Sequence, residues 1–355
     1  MIRTGAAFTL LAILASPGAA QTDAEQIVQD WVRSAHADAA AEAFAHWNGE
    51  GEIPAECAVC HSGAGFRDFH GLDGSAAGSV DASIEPGGVV DCDTCHTPGV
   101  EGISQITFPS GISVPPLANS ATCMTCHQGR SSGPALVERF GDLDPDAPSA
   151  ELAFQNPHYA AAAATNFGTE VKGLYEYMGR EYVGRFDHVD GADTCIACHD
   201  PHTLEIAAES CATCHEGSEP RDIRLSVDAR DYDGDGDTSE GIAAEIASLR
   251  EMLEAEIMAY AEGVAGAPIG YADAYPYFFT DTNADGTIGD DEAVFPNAYG
   301  AWTPRLLAAA YNFQFVTKDP GGYAHNPHYT LQALHDSIVD LATASGRPVP
   351  EIARP

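Results

Sequence analysis

All ten cysteines of this 355-residue sequence belong to Cys-x-x-Cys pairs, and every pair is followed at once by histidine. The five segments are CAVCH (Cys57, Cys60, His61), CDTCH (Cys92, Cys95, His96), CMTCH (Cys123, Cys126, His127), CIACH (Cys195, Cys198, His199) and CATCH (Cys211, Cys214, His215). The chain has fourteen histidines. Finding one after all five pairs by chance has odds of about one in ten million, so the pentapeptide is a chemical unit. Thiols three residues apart on a tight turn can form two thioethers to the vinyl groups of a haem. The adjacent imidazole then lies beneath the macrocycle as an iron ligand. Zinc would need two pairs per ion and leave one pair over. A redox dithiol occurs singly on a βαβ frame, which is not seen here. The spacing therefore predicts five covalently bound haems c, with His61, His96, His127, His199 and His215 as proximal ligands.

Nine histidines remain, and five irons need a sixth ligand. Sequence context selects His36, His158, His188, His202 and His325 as distal ligands, with His46 and His328 in reserve. His36 and His46 lie in an alanine-rich helical stretch; ten residues apart, they face different directions on a helix. His158 stands in NPHYAAAAATNFG, where Asn156-Pro157 is expected to start a helix and aim the ring from its first turn. His188 precedes Cys195 by seven residues. His202, in CHDPH, is too near the haem of His199 to cross its plane and is expected to serve a neighbour. The tetrapeptide NPHY recurs at 326–329, next to His325 and containing His328. His70 and His335 read as ordinary residues. Arg67, Arg130, Arg180 and Arg185 are scarce cations in this region and candidate partners for haem propionates.

Five large apolar discs would supply much of the core that side chains otherwise provide. The stretch 50–150, rich in Gly, Pro and Ser with little apolar periodicity, therefore reads as loop wrapped around cofactors. The expected fold is mainly α with extensive irregular loop and little β, organised around five haems. Three parts follow a signal peptide at 1–20: a pentahaem domain at 21–225, a helical segment with calcium loops at 226–300, and C-terminal helices at 301–355 returning to the haems.

Past the fifth motif the chemistry changes. Residues 281–292, DTNADGTIGDDE, place Asp281, Asn283 and Asp285 at positions 1, 3 and 5 of an EF-hand loop. Gly286 falls at position 6, Thr287 at the carbonyl position 7 and Glu292 at the bidentate position 12. Residues 231–242 offer Asp231, Asp233, Asp235 and Asp237, but Ile242 at position 12, so Glu240 or Glu245 must complete the shell. One or two calcium ions in a structural role are expected. Between the loops, Ile242, Ile246, Leu249, Leu253 and Ile257 mark one face of a long amphipathic helix.

The chain carries 16 Lys+Arg against 53 Asp+Glu, a formal net charge of −37. A polyanion is repelled by nucleic acid and by anionic membrane surfaces, whereas a basic redox partner, bound calcium or adaptation to high salt would each fit. Arg3, an apolar run at 6–15 and Gly18-Ala19-Ala20 before Gln21 read as a secretory leader, too short to span a bilayer. Export to the periplasm or cell exterior is expected, with no membrane span.

The five CxxCH segments, Cys-His-Asp-Pro-His at 198–202 and Ala-His-Asn-Pro at 324–327 resemble the multihaem cytochromes c. That broad group includes cytochrome c nitrite reductase, octahaem hydroxylamine-oxidoreductase-like proteins and extracellular cytochromes that polymerise. The resemblance implies electron transfer. Reductases of the group keep one haem open or lysine-ligated, and no CxxCK occurs here. Electron transfer by mostly bis-histidine, low-spin haems is the first expectation, with no catalytic residues. The alternatives are an oxidoreductase acting on a small nitrogen or sulfur compound at one open haem, and a self-assembling filament subunit.

Overall fold

The computed structural model describes residues 18–215, 219–224 and 230–355. The leader expected at 1–20 lies mostly outside the described residues, as does the 225/226 boundary. Among the described residues, helices and irregular loop predominate, with two short antiparallel hairpins: β1 (Ile106–Thr107) with β2 (Ser113–Val114), and β3 (Ile269–Tyr271) with β4 (Phe278–Thr280). The expected mainly helical, strand-poor class is what the structure has.

The first two thirds of the chain is one long helix followed by a series of short ones. They are α1 (Gly18–Arg33), α2 (Glu42–Ala45), α3 (Ala55–His61), α4 (Gly63–Phe69), α5 (Cys92–His96), α6 (Ala121–Cys126), α7 (Gly133–Phe140), α8 (Ala162–Phe167), α9 (Cys195–Cys198) and α10 (Ala208–Ala212). Each CxxCH segment falls on or at the end of one of these turns, which brings cysteines at i and i+3 to the same side. Capping fixes several of them. Asp91 accepts the Thr94 N–H at 2.9 Å and is itself held by Arg67 at 2.7 Å. Ser62 caps α4 through the Gly65 N–H.

The last third is packed differently. Helices α11 (Ile242–Tyr260), α12 (Pro304–Lys318) and α14 (Pro327–Ala344) lie against one another, and α13 (Gly322–His325) packs on α8. Ile242, Ile246, Leu249, Leu253 and Ile257 are all buried, as their helical spacing predicts. Thr303 and Asn326 cap α12 and α14, accepting the N–H groups of Leu306 and Tyr329, and Pro304 and Pro327 open the helices behind them. The segment expected to carry calcium loops therefore shares its core with the C-terminal helices. Leu253 is wholly buried, and we expect Leu253→Ala to lower stability by about 2–5 kcal/mol in urea unfolding. A loss below half a kcal/mol would mean that this helix packs loosely.

Two local expectations are corrected. His36 follows the end of α1 in a turn, held where its carbonyl accepts the Val90 N–H, and is not on a helix. Asn156-Pro157 does not begin a helix: His158 and Ala160 take left-handed backbone conformations, with φ of 78° and 48°, and α8 starts only at Ala162. Asn156 Oδ1 accepts the His158 N–H at 3.0 Å, so the asparagine builds a turn here. The second NPHY does start a helix, α14.

Candidate haem centres

Each CxxCH histidine faces one further histidine across a gap of similar width. His127 faces His36 with ring centres 6.3 Å apart, and His61 faces His158 at 5.8 Å. His96 faces His202 at 6.3 Å and His215 faces His188 at 6.0 Å, both nearly parallel at 11° and 8°. His199 faces His325 at 6.4 Å. Two metal–imidazole bonds of about 2 Å, with about 1 Å more from nitrogen to ring centre on each side, span about 6 Å. The donor set at each pair, two thiols and two opposed imidazoles, fits a covalently attached haem. None of the ten cysteines is paired in a disulfide, so all are available for attachment. Beside Cys195 a 430 Å³ cavity is walled by Val114, Leu117 and Phe167, with Glu170 and Arg185 also lining it, a surface suited to a flat apolar ring with charged edges.

Backbone contacts aim the rings. His61 Nδ1 lies 2.6 Å from the Ala43 carbonyl and His127 Nδ1 3.0 Å from that of Ala160, so each ring donates from Nδ1 and presents Nε2 outward. Asp200 Oδ1 accepts the N–H groups of His202 and Thr203, making the tight turn that swings His202 away from His199. Asn166 pins two segments, donating to the carbonyls of Phe186 and His325. Burial lowers the pKa of His36 to about 4, assisted by His127, and that of His158 to about 4, assisted by His61 and Arg130. Both are neutral donors at pH 7, as metal ligation requires.

The other histidines stand apart. His46 pairs with Glu42 at 2.7 Å, His70 bonds Thr125 Oγ1 at 3.1 Å, His335 pairs with Asp336, and half-buried His328 faces no CxxCH ring among the described contacts. Arg67 is engaged by Asp91, Arg185 by Asp187 and Arg180 by Asp336. Arg130, close enough to Cys57, His61 and His158 to act on their charge, has no carboxylate partner among the described residues.

The motifs adjoin one another unevenly. Cys60 and Cys126 are in side-chain contact, with Cys60 Sγ 3.8 Å from the Thr125 carbonyl and Cys126 Sγ 3.9 Å from that of Val59. Cys123 touches Cys195, and Cys95 reaches Thr122 at the start of α6. Cys198 lies near Cys211. The segment 123–127 thus borders three others. Cys92, Cys95 and Cys214 are exposed.

In the acidic loops, spacing and geometry disagree. Asp231, Asp233 and Glu245 bring carboxylate oxygens within 4.8 Å of one another, as do Asp233, Asp235 and Glu240. Asp233 is buried, and Glu240 Oε1 is buried with no hydrogen-bond partner. Asp237 instead caps Ser239. In the 281–292 loop, Gly286 has the left-handed φ of 83° that position 6 demands, and buried Asp281 leaves Oδ1 without a partner. Glu292, however, accepts from Thr282 N at 2.7 Å and from Gly289 N at 3.3 Å, and this loop forms no comparable carboxylate cluster.

Comparison with known proteins finds polyhaem cytochromes. The C-type polyheme cytochrome OmcC of Geobacter sulfurreducens is 29% identical over 397 residues, covering 92% of this chain and 47% of the relative. OmcB of the same organism is 28% identical over 369 residues, covering 85% of this chain and 46% of the relative. The chain spans about half the length of the curated relatives it matches. No family model matches, and no solved structure matches.

Proposed function

We propose that the chain, which is similar to C-type polyheme cytochromes, is an exported electron carrier holding five bis-histidine haems. The observation carrying this reading is the pairing of all five CxxCH histidines with a second imidazole at 5.8–6.4 Å. Each haem, when bound, supplies a one-electron Fe(III)/Fe(II) couple. The protein's part is to hold two imidazoles on each iron, which limits geometry change on redox cycling and excludes substrate from the metal. That arrangement favours electron transfer over reduction of a small nitrogen or sulfur compound.

The contacts between motifs suggest an order for the relay. Segment 123–127 is the junction: 57–61 and 92–96 adjoin it on two sides, and 195–199 on a third leads on to 211–215. Tunnelling falls steeply with edge separation, so these contacts define the routes. The exposed cysteines of 92–96 and 211–215 make those two motifs the entry and exit points. With a net charge of −37, a partner docking there is expected to be basic. Among the described residues no helix is long and apolar enough to cross a membrane. Calcium is proposed at Asp231, Asp233, Asp235, Glu240 and Glu245, and at the 281–292 loop, in a structural role.

The test is a haem count and a spin-state assignment on the purified holoprotein. A pyridine haemochrome assay should return five haems per chain, and electron paramagnetic resonance should find every iron low-spin. A high-spin iron in the unmodified protein would overturn the fully bis-histidine reading.

A further inference from the structure

We infer that Asp319 is a positioning residue that sets the reduction potential of the iron between His199 and His325, lowering it relative to what a neutral partner would allow. The inference rests on the proposal that these two imidazoles share an iron.

Asp319 is 3% exposed. Its Oδ1 and Oδ2 lie 2.8 and 3.1 Å from His325 Nδ1. Thr165 Oγ1 donates to Oδ2 at 2.5 Å, and the Gly321 N–H also donates to the carboxylate. The ring is confined from the other side as well. A Cβ on Gly321 would lie 2.5 Å from His325 Cε1, so only glycine allows the chain to pass this close. His325 thus has one accessible orientation, with Nδ1–H on the carboxylate and Nε2 directed towards His199.

No other opposed pair has a carboxylate on either ring among the described hydrogen bonds. His61 and His127 donate to backbone carbonyls. The remaining histidine–carboxylate contacts, His46 with Glu42 and His335 with Asp336, lie outside the five pairs. A carboxylate on Nδ1–H draws the proton towards itself and makes Nε2 a stronger donor. A stronger donor stabilises Fe(III) over Fe(II), so the one-electron reduction occurs at lower potential. Since 195–199 lies between the junction and the exposed 211–215 motif, Asp319 would make that branch the harder one for an electron to enter.

The test is spectroelectrochemical titration of the holoprotein with two variants of opposite expected sign. Asp319→Asn keeps an acceptor for Nδ1–H but removes the charge, so one of the five components should move to more positive potential while the iron stays low-spin. Thr165→Val removes a donor from the carboxylate, which then pulls harder on the imidazole proton, so the same component should move to more negative potential. Unchanged titrations in both variants, or shifts of the same sign, would overturn the inference. His325→Ala separates the two levels. If it leaves every iron low-spin, the ligand assignment fails. If it produces one high-spin iron while the potentials ignore Asp319, only the role of Asp319 fails. Should Asp319→Asn not mature, the sign of the Thr165→Val shift decides alone.

Discussion

His202→Ala will turn one haem in five from low-spin to high-spin. The pair it breaks is nearly parallel, His96 and His202 standing 6.3 Å apart at 11°, and no other described histidine ring faces His96. The turn that carries His202 is tied by Asp200 and not by the His202 ring, so the backbone should keep its course once the imidazole is gone. His96 is exposed, and the freed iron should therefore admit small exogenous ligands. Carbon monoxide binding to the reduced protein, absent in the parent and stoichiometric with one haem in the variant, measures the effect directly. His70→Ala is the control: that ring bonds Thr125 and should leave the spin state untouched. A fully low-spin His202→Ala spectrum would remove His202 from the ligand set.

Calcium withdrawal should lower stability. An ion held by the folded chain alone at 100 times its dissociation constant contributes about 2.7 kcal/mol per site. The Asp231–Glu245 cluster is where we expect most of it. Burial and then the charges of Asp233, Glu245, Asp235 and Asp237 push the Glu240 carboxyl up to about 7. A folded-state pKa above the ordinary 4.5 means that the folded protein binds the extra proton between those two values. Without calcium, this group therefore costs stability progressively as pH rises from 4.5 towards 7, and the full cost persists above that. A divalent cation offsets the crowding and displaces the proton. Chelation should lower the melting temperature more at pH 8 than at pH 5, and calcium uptake near pH 7 should release protons. Calorimetry in two buffers of different ionisation enthalpy measures that release. Asp233→Asn should abolish both effects at this site, and a chelator that leaves the melting temperature unchanged at pH 8 would exclude a structural role for calcium.

The covalent chemistry was legible because it is contiguous: two thioethers and a ligand need five consecutive residues, and no tertiary information enters. Helix α11 was legible for a related reason, since its apolar period and its buried face are the same fact. Sequence context selected the five histidines that stand opposite the motifs, but not which of them faces which motif. That His158 faces His61 depends on a left-handed turn at His158, a backbone state that sequence disfavours for any residue but glycine and, less strongly, asparagine, aspartate and histidine. The two NPHY segments are identical in sequence and differ in outcome, a turn at 156–159 and a helix start at 326–329, because the surrounding packing decides. Asp319 had no signal at all, being an isolated aspartate at a helix end. In the first calcium loop Glu245, drawn from α11, stands with Asp231 and Asp233 although a twelve-residue template gives position 12 to Ile242.

The C-terminal end of α12 bears on how the molecule is made. Lys318 lies over the rings of Tyr159 and Tyr277, and its carbonyl accepts the Ala160 N–H at 2.8 Å, closing the turn that carries His158. Its neighbour Asp319 holds His325. Two adjacent residues therefore hold two different proposed ligands, His158 and His325, and both are synthesised about a hundred residues after the last CxxCH. On the proposed ligation, haem attachment at 57–61 can precede the closing of the turn that holds His158, and attachment at 195–199 can precede the synthesis of His325. Maturation would then pass through a stage with two reactive, five-coordinate irons, and a chain truncated before residue 318 would stay there.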